Sequence, residues 1–123
     1  MEFTRGDTFI ISRYLKDKDD NNIIINKDTD DITFTMRKNL YSEIVVKKDI
    51  NDIEITDDGK YRIVLNPKDT EKLDFGDYGY DIELRIGKNE INPFVRTVES
   101  GQIEILENDY SRPNEVVWWI KKI

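Results

Sequence analysis

The sequence contains no cysteine and no histidine among its 123 residues. Without cysteine there is no disulfide framework and no thiol chemistry. Without histidine the chain lacks the commonest general base and the commonest transition-metal ligand, and a standard serine–histidine–aspartate triad is impossible. No phosphate-binding loop is present, and the many carboxylates lack the glycine-rich or apolar context typical of catalytic acids. We therefore predict that the protein is not an enzyme and has no catalytic residues, no cofactor and no metal ligands.

Positive charge and long apolar runs are also scarce. Nineteen basic residues stand against 26 acidic ones, and the net charge of −7 creates a field that repels nucleic acids and anionic membrane surfaces. Residues 1–7 lack the apolar core of a secretory signal, and no run approaches the roughly 20 residues of a membrane span. We predict synthesis in the cytoplasm without a signal peptide, and neither nucleic acid nor membrane as a partner.

The clearest secondary-structure signal is an alternation of apolar and polar residues with a period of two. Across residues 78–86, five apolar positions alternate with glycine or charged positions, which predicts a strand with one face against a core. Residues 8–15 are rich in β-forming residues, with Phe9 and Ile11 on one face and Ile10 on the other. The same alternation occurs at residues 32–37, 53–55, 61–66 and 103–105.

Turn signals separate these segments. Asp-Asp-Gly at residues 57–59 predicts a hairpin connection ahead of the strand that begins near Tyr61. Glu-Ser-Gly at residues 99–101 predicts a second hairpin, between a strand at 93–98 and a strand that begins at Gln102. Residues 66–73, which begin with Asn-Pro, predict a single helical turn.

The number and spacing of these segments indicate the architecture. Seven to nine short strands, with turns every 8 to 12 residues or so, are typical of an antiparallel β-sandwich, and a small β-barrel is the alternative. No linker, repeat or low-complexity tract interrupts residues 1–106. We therefore predict an all-β fold with one domain over residues 1–106.

Residues 107–123 differ in character from the preceding chain. A polar stretch that includes Pro113 leads into an apolar segment at residues 116–123, which holds both tryptophans of the chain. Tryptophan is enriched at interface hot spots. The periodicity fits either a helix or a strand, and the segment either covers an open edge of the sandwich or docks on another subunit. The candidate interaction residues are Val116, Val117, Trp118, Trp119, Ile120 and Ile123.

Two short motifs resemble ligand-binding sequences, and both have a simpler structural interpretation. Arg-Gly-Asp at residues 5–7 matches an integrin-binding tripeptide, but it leads directly into a strand, and a bend at Gly6 accounts for it. Residues 17–28 resemble the start of a calcium-binding loop, with Asn22 in place of the glycine and Asp28 in place of the bidentate glutamate. Because aspartate and asparagine favour turns, a solvated turn between two strands accounts for this stretch.

Several motifs, taken in order, resemble a known family. They are Arg-Gly-Asp-Thr-Phe at 5–9, Asp-Ile-Thr-Phe-Thr-Met-Arg-Lys at 31–38, Asp-Gly-Lys-Tyr at 58–61, Leu-Asn-Pro-Lys-Asp-Thr at 65–70 and Gly-Asp-Tyr-Gly-Tyr-Asp-Ile-Glu-Leu at 76–84. Over roughly residues 3–106 the chain is similar to small immunoglobulin-like modules of phages and prophages of Gram-positive bacteria. Such modules form the N-terminal part of upper baseplate proteins and related tail or head decoration proteins.

The resemblance implies an immunoglobulin-like sandwich and a structural role in the virion, as a baseplate, tail or head accessory protein. It implies protein–protein contacts with other virion proteins or with further copies of the chain in a homo-oligomer. Synthesis in a bacterial cytoplasm and a final location in the virion follow from it, and it supplies no catalytic residues. Residues 107–123 depart from the family pattern. The alternative function is a carbohydrate-binding module, in which Trp118 and Trp119, with Tyr41 or Tyr110, stack on sugar rings.

Overall fold

A computed structural model describes residues 1–107, and this part of the chain contains eight strands and one short helix. In chain order the elements are β1 (Glu2–Thr4), β2 (Phe9–Tyr14), β3 (Asp31–Arg37), β4 (Ile44–Lys48), β5 (Glu54–Ile55), β6 (Lys60–Leu65), α1 (Pro67–Thr70), β7 (Gly76–Ile86) and β8 (Phe94–Leu106). No helix within residues 1–107 has the length and apolar character that crossing a membrane requires.

The strands form two sheets. One has five strands in the order β1-β8-β7-β3-β4, and the other has three in the order β2-β6-β5. Neighbouring strands are antiparallel, except that β1 runs parallel to β8. The order matches an immunoglobulin sandwich in which β2, β6 and β5 take the positions of strands B, E and D, and β4, β3, β7 and β8 those of C′, C, F and G. The predicted all-β sandwich is confirmed, and the alternative of a closed barrel is not observed over residues 1–107.

The core lies between the two sheets and follows the period of two. In β3, Ile32, Phe34 and Met36 are fully buried while the residues between them are half-buried. Ile11 and Ile10 lie on opposite faces of β2, as predicted, and the structure buries Ile11 and exposes Ile10. Burial of each such aliphatic side chain contributes about 1.5–3 kcal/mol, so these alternating positions drive the two sheets together. The largest fully buried side chains are Tyr61, Phe34, Ile11, Ile32, Met36, Ile53, Ile63, Leu65, Ile82, Leu84, Ile103 and Ile105.

Two predicted connections are confirmed. The β5–β6 hairpin turns at residues 57–59, where Gly59 has a φ of +90° and a Cβ would lie 2.9 Å from the carbonyl oxygen of Ile23. Residues 67–70 form the helical turn α1, and the backbone N–H of Asn66 donates to a carboxylate oxygen of Asp69 at 2.7 Å. Proline at the first helical position and this reciprocal cap explain why so short a helix forms here.

The prediction of a hairpin at residues 99–101 is wrong. Residues 94–106 form one continuous strand, β8, which pairs with β7 along its whole length. Gly101 serves close packing, because a Cβ at this position would lie 3.0 Å from the ring of Tyr80 on the facing strand. The register shifts between Ile82 and Glu83, so Val98 is an extra residue in β8 and forms a β-bulge.

Strands β1 and β4 were not predicted from the sequence. β1 has only three residues, and only Phe3 of them is buried. In β4 only Val46 is buried, while Ile44 and Val45 remain exposed. Both are edge strands, and an edge strand with a single buried side chain leaves no alternation to detect.

Tyr78 and Tyr80 anchor the start of β7. The hydroxyl of Tyr78 donates to the backbone carbonyl of Asp74 at 2.8 Å, the contact known as a tyrosine corner in immunoglobulin-like domains. Tyr80 lies two residues further on, where antibody domains carry a cysteine, and its ring stacks on Phe34 with centroids 5.9 Å apart. The sequence-based expectation that both rings fill the core is confirmed, since both residues are buried.

We expect Tyr78→Phe to lower the free energy of unfolding by about 1–2 kcal/mol, because it removes the hydrogen bond to the Asp74 carbonyl and keeps the ring. Urea unfolding followed by circular dichroism measures the change. Tyr14→Phe is the matched control, since its half-exposed hydroxyl makes a longer contact of 3.3 Å with Asp58. Equal effects of the two substitutions would show that the corner contributes no more to stability than the exposed contact of Tyr14.

Candidate interaction site

Among the described residues, two strand edges are free on the same side of the sandwich. β2 is the outermost strand of the smaller sheet, and β6 is its one neighbour within residues 1–107. β8 pairs with β7 on one side, but on the other side β1 covers only its last residues, 104–106. The terminal amine of Met1 reaches one step further and contacts the carbonyl of Gln102 at 3.3 Å. Within the described chain, residues 94–101 of β8 therefore present an edge with no neighbouring strand, as does β2.

A groove of about 440 Å³ lies between these two edges. Its apolar lining comes from both sheets and from the chain that follows β2, and includes Ile23, Tyr61, Leu84, Ile86, Phe94 and Val98. Phe94 is 57% exposed, although it faces the same side of the sheet as buried Leu84. Basic side chains of Lys16, Lys18 and Arg96 also line the groove.

The bulge at Val98 determines which residues of β8 face the groove. Beyond it, Arg96 pairs with Leu84 and Phe94 pairs with Ile86, so their side chains lie on the inner face of the sheet. Because side chains alternate along a strand, the same sequence without the extra residue would turn Val95 inward and Phe94 outward. The bulge thus places an aromatic ring and a guanidinium group on the groove surface.

One end of the groove is closed by a polar contact between the sheets. Glu99, on the inner face of β8, accepts hydrogen bonds from the Tyr80 hydroxyl at 2.5 Å and from Nε of Arg13 at 3.0 Å. Arg13 belongs to β2, so this ion pair joins the two sheets. Tyr61 in β6, the neighbour of Arg13, is almost fully buried. A charged residue on the inner face of a free strand is also a common protection against unwanted strand pairing.

Burial dominates the electrostatics of the two tyrosines beside Glu99. It raises the pKa of Tyr80 to about 12, with further contributions from the hydrogen bond to Glu99 and from the negative charge of that residue. Burial raises the pKa of Tyr61 to about 12 as well, again helped by the charge of Glu99. Both rings stay protonated at neutral pH, so Tyr80 acts as the hydrogen-bond donor to the carboxylate.

The interaction residues predicted from the sequence lie outside the described part of the chain. They are Val116, Val117, Trp118, Trp119, Ile120 and Ile123, and Tyr110 lies outside it too. Tyr41 is described and is 98% exposed in the loop between β3 and β4, beside the exposed Leu40. It does not line the groove between β2 and β8.

The two ligand-like motifs form turns, as predicted. A carboxylate oxygen of Asp17 accepts backbone N–H groups of Asp19 and Asn21, both at 2.9 Å, and residues 1–107 contain no group of three or more acidic residues arranged to hold a metal ion. Gly6 has a φ of +90° at the bend between β1 and β2. The guanidinium of Arg5 stacks 4.2 Å from the Phe75 ring and donates to a backbone carbonyl, so it is held within the domain.

Sequence reasoning missed Arg13 and Glu99. A usable signal was present: Glu99, Gly101, Ile103 and Ile105 alternate with a period of two, so one strand through all four positions puts Glu99 on the core face. An acidic residue at a core-facing position needs a partner, and this requirement points to a basic residue on the opposing sheet.

The comparisons with known proteins supply no family. The chain matches no protein-family model, and a search of the curated proteins finds no significant relative. The geometry of the groove and the resemblance of the motifs are therefore the features that bear on function.

We expect Arg13→Met to lower the free energy of unfolding by about 1 kcal/mol, because it leaves the half-buried carboxylate of Glu99 without its cation. Arg85→Met is the matched control: Arg85 pairs with Glu83 at 3.4 Å, and both side chains are more than 40% exposed. That exposed pair should contribute close to nothing. Chemical denaturation of both variants measures the difference, and equal losses would contradict a special role for Arg13.

Stability should fall as the pH rises above about 10, the usual pKa of tyrosine. Tyr61 keeps its proton in the folded state to about pH 12, whereas the unfolded chain releases it earlier, so unfolding is favoured as the pH rises between these values. Tyr61→Phe should make this loss shallower, and Tyr41→Phe, at a fully exposed ring, should leave it unchanged. Urea midpoints measured across this pH range test the expectation; a slope identical to that of the parent in Tyr61→Phe would refute it.

Proposed function

We propose that this protein is a structural component of a phage or prophage virion, in the baseplate, tail or head, and that it works through protein–protein contacts. The observation that carries the proposal is the pair of free strand edges, on β2 and on residues 94–101 of β8, with an apolar groove between them. The motif resemblance to phage immunoglobulin-like modules supplies the setting.

The free side of the sandwich has the character of a binding surface. Ile10, Tyr14 and Phe94 are between 45% and 57% exposed, and they lie on or beside the two free edges. Exposed apolar side chains next to unpaired backbone groups are a liability for an isolated protein, and natural proteins usually cover or charge such edges. A partner that contacts this side would remove both liabilities at once.

The chemistry of the groove favours a protein partner. An added strand would satisfy the free N–H and C=O groups of β8, and its side chains would fill the apolar groove. The net charge of −7 argues against nucleic acid. Other virion proteins and further copies of this chain are the candidate partners, and a homo-oligomer is the form we propose.

A carbohydrate-binding module is the second candidate. The ring of Phe94 is half-exposed and lines the groove, where an aromatic face could stack on a sugar ring. A glycan array separates the two functions. Specific binding to a glycan that is lost in Phe94→Ala would favour the carbohydrate function over the structural one.

The proposal predicts that the tagged protein is incorporated into particles when the phage that encodes it is induced. Purified particles are examined by mass spectrometry and by immunogold electron microscopy. Phe94→Glu, which places a charge in the groove, should reduce incorporation at least tenfold. Ile91→Glu is the control, because Ile91 is 97% exposed and lies outside the groove. Absence of the unmodified protein from particles would overturn the proposal.

A further inference from the structure

We infer that β2 pairs with β2 of a second copy of this chain, antiparallel and about a twofold axis at Ser12, so that the two smaller sheets become one. The inference rests on the proposed function, because it names the contact between copies of the proposed homo-oligomer. Three observations carry it: the regularity of the β2 edge, the direction of its free backbone groups and the pattern of its exposed side chains.

β2 is the longest regular strand edge within residues 1–107. It pairs with β6 along its whole length without a register shift. The edge strands β1 and β5 have only three and two residues. Register shifts interrupt β4 and the free part of β8, and a bulge turns an edge away from an incoming strand. β2 also contains neither lysine nor proline, the residues that commonly protect an exposed edge.

The free backbone groups of β2 belong to Ile10, Ser12 and Tyr14. The N–H of Leu15 donates to the carbonyl of Gly59, which lies directly opposite it in the β2–β6 register. In an antiparallel pair, residues alternate between those whose N–H and C=O groups face the partner strand and those whose groups face away. The odd-numbered residues of β2 therefore bond to β6, and the even-numbered residues point outward.

Two further contacts agree with this assignment. The N–H of Thr56 donates to the carbonyl of Lys60, so Lys60, which lies opposite Tyr14, faces β5 and not β2. The carbonyl of Ser12 accepts an exposed hydrogen bond from Nη1 of Arg13 at 2.9 Å. A carbonyl oxygen has two lone pairs, so that of Ser12 can still accept from a partner strand.

The exposed side chains of β2 form a pattern that is complementary to itself. Ile10 and Tyr14 are 45% and 48% exposed, and Ser12 lies midway between them on the same face. In an antiparallel pair centred on Ser12, each Ile10 lies opposite Tyr14 of the other copy, and the two Ser12 side chains meet. Aromatic with β-branched residues, and hydroxyl with hydroxyl, are stabilising cross-strand pairs. A shift of two residues would place Thr8 or Ser12 opposite Tyr14, and the ring would lose its apolar partner.

This pattern identifies the occupant as a second copy. The edge needs an aromatic residue opposite Ile10 and a β-branched apolar residue opposite Tyr14, with a small polar residue between them. β2 itself supplies that order when it runs in the opposite direction, and one chain cannot supply two β2 strands. Arg13 does not oppose the pairing, because its charge is neutralised by Glu99 at 3.0 Å.

The joined sheet would carry both grooves on one side. In the register centred on Ser12, odd-numbered residues of one β2 lie opposite odd-numbered residues of the other, so the inner faces of both strands are continuous. The groove beside each β2 therefore flanks the twofold axis. Such a dimer presents the groove twice, which strengthens the binding of a partner that is itself repeated.

The first experiment measures the mass of the full chain by light scattering over a range of concentrations. We expect a dimer, and we expect Ser12→Lys to weaken it about tenfold or more, because two like charges then meet at the axis. Ser42→Lys is the matched control: it adds the same charge in the loop between β3 and β4 and should keep the mass of the parent. Circular dichroism checks that both variants retain the β fold.

The second experiment tests the register by cross-linking, for which the absence of native cysteine is an advantage. In Ser12→Cys the two introduced side chains face each other across a hydrogen-bonded pair with Cα atoms about 5.5 Å apart, a separation that a disulfide spans. Mild oxidation should therefore give a covalent dimer on a non-reducing gel. Ile10→Cys is the control, because its two copies lie about 13 Å apart along the strands, too far for a disulfide.

Three outcomes would overturn the inference. A monomer at every concentration means that β2 does not pair with itself. A dimer that is insensitive to Ser12→Lys means that the contact lies elsewhere, and a covalent dimer from Ile10→Cys in place of Ser12→Cys refutes the register. The fate of the proposed function is decided separately: a monomer that still enters particles retains the virion role, and a dimer that is absent from particles loses it.

Discussion

The hydrogen-bonded ion pair between Arg13 and Glu99 is the contact on which the open side of this domain depends. The chain has no cysteine, so within residues 1–107 the two sheets are held by core packing, by this charged link between β2 and β8, and by the ion pair between Lys48 of β4 and Asp69 of α1 at 2.9 Å. The Tyr80 hydroxyl supports the carboxylate from the adjacent strand. The buried core lies on one side of this link, and the groove lies on the other. Because the carboxylate of Glu99 is half-buried, its hydrogen-bond partners and the boundary of the groove are maintained together.

The bulge at Val98 divides the inner face of β8 into two parts. In the part that follows the bulge, Ile103 and Ile105 belong to the core, and Gly101 lies under the Tyr80 ring. On the other side, Arg96 and Phe94 meet the groove. One extra residue therefore divides a single strand into a part that stabilises the fold and a part that is available for binding. This division allows a small domain to combine a firm core with an apolar surface that remains accessible.

The core strands could be predicted from the sequence, because the period of two determines which of their residues are buried. The features that depend on pairing between distant strands could not. β3, β6 and β7 are visible as alternations because each buries one complete face. Strand β4 was missed because an edge strand buries too little. Glu-Ser-Gly at 99–101 has the composition of a turn, but pairing with β7 keeps it extended, and Tyr80 fills the place where Gly101 lacks a side chain. The groove could not be predicted, because it lies between the unpaired edges of β2 and β8, which are distant in sequence.

The parallel pairing of β1 with the end of β8 has a consequence for recognition. β1 occupies residues 104–106 of the edge, and Met1 reaches to Gln102, so any strand that joins β8 meets a physical stop. A strand that joins an unobstructed edge can slide by two residues and keep its faces, which gives several nearly equivalent complexes. With one end of the edge blocked, an incoming strand has a defined starting position. In the complex that we propose for the groove, the pairing of β1 with residues 104–106 therefore defines where a partner strand can begin on β8.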